Sequence, residues 1–595
     1  MRIERHEVRA EALAKATDDF HDRIGGMVHG EQEAGRELHG WDMVADDLLA
    51  YAGARSADDP SIDADAVTAL YSAAEARIGA LKLDHAPASA AFPVFLTYTG
   101  TGVSYSGDGE DGDPEPVGSW DWIRTVYLCL VAGAHEQNSG ALLSLASAFD
   151  EGEVLARGLA YYLFPEAGAE RDQLLSYVDS AVRGIADDGE FPHPDLLQLH
   201  CLLSGEEELF WELMTGRLQA HRERSSDDFP ASLLPVEAIA FAAMAVRTEG
   251  WEQPFETDYL PRRLVVGEEG WGAPRVGPYG ADKDAGALRE LAQGRLAVVR
   301  PAEAPTFIDR ILERRDEESR EELRDAWSPS TLPSMLPWAL QSSARDEIRR
   351  FQLRSLADPH ARDPRQLEAL THASQYTAAA FASVTGAEDT VEVTLGPTTA
   401  PLRAVPPTGD VNEGARTVAV EYAVLSGSRE RFDALLAHPT GAFAGRRAQG
   451  GNRVFTLYPG ALLAYLRVEA ARSRTAGPEA RDAERRAAQA RAAMDDALAA
   501  LPGYQVIPGF PPPPVVALSQ LVAGDREGFA LALADALEAH RDAFSVGDKK
   551  GDSDGYVSTR LLALACLASA RGWDVPVESD YLPRGVLDHA AGLFA

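Results

Sequence analysis

The chain has 595 residues, 45% apolar and 25% charged, with 93 acidic against 56 basic side chains and a formal net charge of −37. That length exceeds what one hydrophobic core fills and points to about two large domains. The apolar share argues against wholesale disorder, and the acidity argues against nucleic acid or anionic lipid as a partner. A basic protein partner suits the charge; so does the plainer reading that acidity keeps an Ala/Arg/Asp-rich chain soluble. Cys129, Cys201 and Cys566 are scattered without a CxxC pair, which fits a reducing cytoplasm and supplies neither a zinc site nor a disulfide framework. The opening Met1-Arg-Ile-Glu-Arg-His-Glu7 has no apolar core of a signal peptide, and the longest apolar run, Ala238 to Val246, is about half a membrane span. A cytoplasmic protein is expected.

In chain order, a charged, Ala-rich helical pattern runs through Phe20-His-Asp-Arg-Ile24, and Phe307-Ile-Asp-Arg-Ile311 repeats it. Helical periodicity covers Trp41 to Tyr51, breaks at Asp58-Asp-Pro60 and resumes through Ala80; Trp327 to Leu356, a break near Ala361-Arg-Asp-Pro364 and a helix to Val384 follow the same plan. The period then shortens. Phe92–Tyr98, a turn at Gly100-Thr-Gly102 and Val103–Tyr105 predict a β-hairpin, as do Thr390–Leu395, Gly396-Pro-Thr-Thr399 and Ala400–Ala404. Apolar helices follow at Trp122–Ala132 and Thr417–Ser426. Glycines at 133, 427, 205 and 524 are placed to end helices. Phe210, Met214, Leu218 and His221 share one helical face, as do Phe529, Leu533, Leu537 and His540. Two wholly apolar helices come next, Ile239–Val246 and Leu561–Leu567. Arg472 to Leu501 reads as a long exposed helix, and Pro511 to Pro514 as a rigid connector matching Phe191-Pro-His-Pro194.

The plainest sign of duplication is Gly250-Trp-Glu-Gln-Pro-Phe-Glu-Thr-Asp-Tyr-Leu-Pro-Arg-Arg-Leu-Val265, which returns as Gly572-Trp-Asp-Val-Pro-Val-Glu-Ser-Asp-Tyr-Leu-Pro-Arg-Gly-Val-Leu587. Nine of 16 positions are identical, where average composition gives about one. Thr257 or Asp258, and Ser579 or Asp580, are expected to cap a short final helix with Pro261 or Pro583 in its first turn. Trp251 and Trp573 are expected to pack on the preceding helix. The fold class expected is mainly α: a tandem duplication of a multi-helix domain, each copy with one small β-hairpin. The boundaries expected are residues 1–266, a linker at 267–290, and residues 291–595.

Few motifs carry chemistry. There is no P-loop, Rossmann fingerprint, GxSxG elbow or HExxH helix. Gly100–Gly107 has the glycines of a phosphate loop without a following Lys or helix start. Lys550-Gly-Asp-Ser-Asp-Gly555 has Lys at the first EF-hand position and Leu561 at the twelfth, where calcium needs oxygen ligands. No metal or cofactor is expected. The acidic loop from Asp108 to Glu115 is either a solvated turn or, through Asp108, Glu110, Asp111 and Asp113, a contact for a basic partner. His221 and His540, each followed by Arg and an acid, are read as helix-end residues that hold the fold; so are Trp251, Asp258, Tyr259, Pro261 and their copies Trp573, Asp580, Tyr581, Pro583.

The Leu-x-x-Gly helix ends (Leu202-Leu-Ser-Gly205, Leu521-Val-Ala-Gly524), the His-Arg-acid helices and the motif Trp-x-x-Pro-x-Glu-(Thr/Ser)-Asp-Tyr-Leu-Pro together resemble the immunity protein 49 family of bacterial polymorphic toxin systems. The resemblance is strongest over residues 196–265 and 515–587. It implies a mainly helical cytoplasmic protein that binds and neutralises a cognate toxin domain, with no catalytic residue. Two other readings stay open: a helical scaffold or regulator that binds peptides, and a hydrolase with its site between the copies.

Overall fold

The computed structural model describes residues 2–36, 39–85, 89–107, 118–147, 149–150, 152–164, 167–168, 170–187, 191–267, 274–301, 304–327, 332–386, 388–439, 441–443, 453–472, 480–501 and 512–594. The loop carrying Asp108, Glu110, Asp111 and Asp113 lies outside them. Two units form, one from Met1–Ala273, Ile507–Gly509 and Ser545–Asp548, the other from Pro274–Val506, Phe510–Phe544 and Lys549–Ala595. The fold is mainly α, as expected: among the described residues helices carry each unit, and the sheets are two-stranded.

The first unit is organised around Ala64–His85. Most of this helix is buried, because its Ala, Ser and Thr residues let neighbours approach from several sides. It packs against Trp41–Asp58, Ser119–Ala132 and the hairpin strand Phe92–Leu96. In the second unit Pro364–Thr385 packs in the same way against Leu336–Ala357, Glu413–Leu425 and the strand Thr390–Leu395. Arg55 bonds to Asp63 just before the first of these central helices, and Arg354 bonds to Asp363 (2.9 Å), the N-cap of the second. The predicted breaks at Asp58-Asp-Pro60 and Asp363-Pro364 are therefore corners held by an Arg–Asp pair.

Each hairpin forms in the predicted place, pairing Phe92–Leu96 with Thr101–Tyr105 and Thr390–Leu395 with Thr398–Arg403. Two strands alone are marginal in water, and one polar side chain of each central helix grips the turn. Glu75 accepts from the Thr97 backbone N–H (2.6 Å), the Thr97 hydroxyl (2.7 Å) and the Ser72 hydroxyl (2.9 Å). Gln375 accepts from the Gly396 N–H (2.7 Å) and donates to the Gly396 carbonyl (3.3 Å).

The C-terminal half of each unit is a helical hairpin and a buried helix: Pro194–Ser204, Glu207–Arg224 and Val236–Arg247, then Val515–Ala523, Arg526–Ala543 and Thr559–Ala570. Gly205 (φ 80°) and Gly524 (φ 78°) end the first helix of each set in the left-handed region, which a Cβ disfavours. Two expectations change. The helix Ala480–Ala499 is not simply exposed, because it buries Ala490, Met494 and Ala497 along one face against Arg453–Arg472. Part of the stretch expected to link the copies packs within the second unit. There Arg275 binds Asp535 (2.5 Å) and Glu538 (2.6 Å), and Ala285–Ala292 forms a helix against Arg526–Ala543.

Burial pushes the Glu75 carboxyl from 4.5 up to about 7, against the pull of its hydrogen bonds to Thr97 and Ser72. A folded pKa above the unfolded one means that this group's stabilising contribution is complete below pH 4.5 and is lost as pH rises through 7. Gln375 shows that the fold accepts an amide at the corresponding grip. Glu75→Gln is therefore expected to flatten the fall in the first unit's unfolding midpoint between those pH values. Thermal unfolding across that range checks it, and a slope equal to wild type refutes it.

Candidate functional site

In each unit the repeated C-terminal signature folds back on that unit's own beginning. Arg2–Ile3 pairs in parallel with Glu256–Thr257. In the second unit the Val298 N–H donates to the Glu578 carbonyl (2.9 Å), and the Glu578 N–H donates to the Leu296 carbonyl (3.0 Å). An arginine follows each pairing. Arg5 donates to the Ser56 carbonyl (2.9 Å) and hydroxyl (3.2 Å); Arg300 donates to the Ser355 carbonyl (2.9 Å) and hydroxyl (3.0 Å). Burial lowers the pKa of both, Arg5 to about 10, while the neighbouring Asp258 and Tyr259, or Asp580 and Tyr581, pull the other way.

The repeated histidine and the repeated tyrosine meet. The rings of His221 and Tyr259 are 5.3 Å apart at 84°, and those of His540 and Tyr581 are 5.3 Å apart at 88°. This edge-to-face contact joins a helix end to the signature in both copies. Their polar partners differ. His221 Nε2 bonds to the Ser232 carbonyl (2.7 Å), and the Tyr259 hydroxyl accepts the His6 backbone N–H (2.9 Å). Burial lowers the His540 pKa to about 4, opposed by a hydrogen bond to the Gly555 backbone.

Other signature residues depart from the expectation. Pro261 and Pro583 do not sit inside the first turn; each is the N-cap, directly before Arg262–Val266 or Arg584–Ala590. Thr257 and Ser579 do not cap those helices. Their short side chains reach only two residues on, so the hydroxyls accept from the backbone N–H of Tyr259 (3.2 Å) and Tyr581 (3.3 Å). Asp258 faces Arg2 at 3.3 Å, and Asp580 is partly exposed near Arg300. Trp251 is partly buried and Trp573 buried. Their backbone N–H groups bond to the end of the preceding helix, at Ala245 (3.0 Å) and Ala568 (3.0 Å). Their rings pack one helix further back, on Phe210 (5.4 Å) and Phe529 (6.1 Å).

A cleft lies beside this histidine in both units. In the first it measures about 390 Å³ and is lined by Pro194, Arg217, His221, Ser225, Pro235 and Glu237, among others. In the second it measures about 640 Å³, and the matching Pro513, Ala536, His540, Phe544, Ser558 and Arg560 all line it. These matches follow from helices that keep register: Glu207–Arg224 with Arg526–Ala543, and Val236–Arg247 with Thr559–Ala570. The second cleft is walled mainly by Val, Pro, Ala, Ile and Leu side chains, with Gln352 and Glu421 also on its wall. The first cleft is built within residues 194–238, whereas the second collects residues from Pro274 to Leu561, so the sequence carries no local signal for the second. Among the described residues no group of three His, Cys, Asp or Glu side chains could hold a metal ion.

A family model described as immunity protein 49 matches residues 63–264 and again residues 358–586. The chain belongs to that family. Its role is that of an immunity protein, and the family match falls on both units. Neither the comparison with curated proteins nor that with solved structures found a match.

Two measurements test whether the signature holds this immunity protein together. Trp573→Ala is expected to destabilise the second unit by about 3–5 kcal/mol, because the ring is enclosed by Phe529, Arg526 and Arg571. Tyr259→Phe leaves the His6 N–H without its acceptor and is expected to cost the first unit about 1–2 kcal/mol. Denaturant unfolding of the variants reads both. An unchanged midpoint for Trp573→Ala would mark the motif as a contact surface.

Proposed function

We propose that this immunity protein neutralises a cognate toxin by forming a stable one-to-one complex with it, without turnover. The family match over both units is the observation that carries this reading. The net charge of −37 supports a basic toxin. Toxins that attack nucleic acids are commonly basic because they must engage phosphates, and an acidic inhibitor that covers such a surface associates fast through steering. The three cysteines are free and buried, in keeping with action in the cytoplasm. The loop with Asp108, Glu110, Asp111 and Asp113 remains a contact candidate on its sequence.

One observation speaks for a hydrolase: His540 and Glu421 line one cleft. A general base works best with a pKa near the working pH, and His540 at about 4 is far below it. The nearby Ser558 hydroxyl caps its helix by accepting from the Leu561 N–H (3.4 Å), and His540 Nε2 has no hydrogen-bond partner, so a nucleophile–base pair is not assembled there. Stoichiometric binding accounts for the same cleft without a reaction.

Co-expression with each toxin gene of its own locus tests the reading. Protection is expected in trans, with a purified complex of one copy each and an association rate that falls as salt rises. Cells that die equally fast with and without the protein, beside every such toxin, would sink it.

A further inference from the structure

The two clefts are built by helices in register and differ in what fills them. In the first unit the Arg217 guanidinium donates to Asp195 Oδ1 (2.6 Å) and Gln198 Oε1 (2.6 Å). In the second unit the positions in register are Ala536, Pro514 and Ala517, so the guanidinium and both of its acceptors are replaced by small or apolar residues. The cleft is larger, about 640 Å³ against about 390 Å³. Sites for small molecules measure about 300–1,000 Å³. Val276, Ile348, Val418, Leu501, Val516 and Leu561 belong to its apolar wall.

Charge on the wall is balanced: among the described residues, Arg345, Arg349 and Arg560 line it together with Glu421, Asp535 and Asp554. Most of these are matched within the unit. Arg560 meets Glu421 at 3.5 Å, Arg349 meets Asp346 at 3.3 Å, and Arg275 holds Asp535 at 2.5 Å. One cation and one anion are left over. Arg345 is exposed and forms no ion pair with a described residue; Asp554 is exposed, and its carboxylate takes the Gln352 amide (3.2 Å) but no cation among those residues. The first unit has Asp46 in register with Arg345, and Asp46 bonds to Arg77 (2.6 Å). Tyr422 supplies a third polar group. It is 7% exposed, and its hydroxyl keeps accessible surface on the cleft without a hydrogen-bond partner among the described residues. Burial pushes the pKa of that hydroxyl up, with Glu421 and Asp554 adding and Arg345 opposing, so it keeps its proton and donates.

We propose that the cleft of the second unit binds a free apolar α-amino acid as its zwitterion, the carboxylate on Arg345 and the Tyr422 hydroxyl, the ammonium on Asp554, and the side chain against the Val, Ile and Leu wall. This site goes beyond the immunity reading and does not rest on it. A zwitterion answers both leftover charges and adds no net charge to a balanced wall. A carboxylic acid alone would leave Asp554 unmatched beside a second anion, and an amine alone would leave Arg345 unmatched. A charged side chain would set a third charge against apolar surface, which disfavours it. The first unit fills the corresponding space with Arg217 and matches Asp46 itself, so the site belongs to the second unit alone.

The test uses the full-length protein with L-leucine and L-phenylalanine, followed by calorimetry or NMR. N-acetyl-phenylalanine, which lacks the ammonium, and phenylalanine amide, which lacks the carboxylate, are the comparisons. Saturable binding of at least one free amino acid is expected, about tenfold or more tighter than its blocked forms. Arg345→Gln is expected to erase the preference for phenylalanine over its amide, and Asp554→Asn the preference over N-acetyl-phenylalanine. Both side chains are exposed, so the variants are expected to stay folded, which thermal unfolding checks. Tyr422→Phe, which removes only the hydroxyl, serves in place of a variant that does not fold and is expected to weaken carboxylate binding. No saturable binding of either amino acid, blocked forms that bind as tightly as the free one, or preferences unchanged in the folded variants would each overturn the proposal. Protection from a toxin is a separate readout: its absence leaves this site standing, and loss of amino-acid binding leaves the immunity mechanism standing.

Discussion

Each unit depends on a closure in which its last residues pair with its first. The parallel pairing of Ile3 with Thr257, or Ala297 with Glu578, brings together segments more than 250 positions apart. The loop entropy of that closure is met by several contacts made at once: the backbone pairing, Arg5 or Arg300 on a serine at the end of a long helix, and the edge-on His–Tyr contact. The helices between the two ends are thereby held in one arrangement. Within the repeated signature, Glu256 and Thr257 or Glu578, and Tyr259 or Tyr581, make that closure.

Within this shared frame the copies solve the same packing problems with different chemistry. The turn of the hairpin is gripped by a carboxylate in one copy and an amide in the other. In the first unit Leu48 and Tyr51 face inward where the second has Glu347 and Arg350, which bond to each other (2.8 Å) and to Ser319 and Asp316. An apolar core pair and a hydrogen-bonded ion pair are alternatives of comparable stability when all partners are present. The exchange is tolerated because Asp316 also binds Arg354 (2.7 Å) and Arg365 (3.2 Å), so the buried acid is matched on several sides. The cleft beside the helix-end histidine follows the same logic with the opposite result, since there the partners were withdrawn and space was left.

Helices, hairpins and duplication were legible along the chain because each depends on neighbours within a few residues. Period 3.6 marked Glu207–Arg224 and Arg526–Ala543, the glycines marked their boundaries, and the motif at 250–265 and 572–587 marked the repeat. Local reading failed where two local solutions compete. Thr257 was a plausible helix cap by position, yet its hydroxyl closes a turn onto Tyr259, and Pro261 starts the helix instead. The helix at 480–499 read as exposed because its Ala-rich face gives little hydrophobic contrast, while that same small-residue face is what packs.

The sequence by itself determined the class of fold, the number of copies and the family, all of which rest on short-range pattern or on direct repetition. Tertiary structure alone decided that His221 and Tyr259 touch, that Arg5 and Arg300 hold equivalent serines, and that Ala536 leaves open what Arg217 fills. A cavity is a property of residues absent from a space, and one chain position says nothing about the space until its distant neighbours are in place. Alanine at 536 is an ordinary helix residue in the sequence. It comes to line a cleft only because Gln352 and Glu421, from two other helices, stand opposite it and its helix neighbour His540.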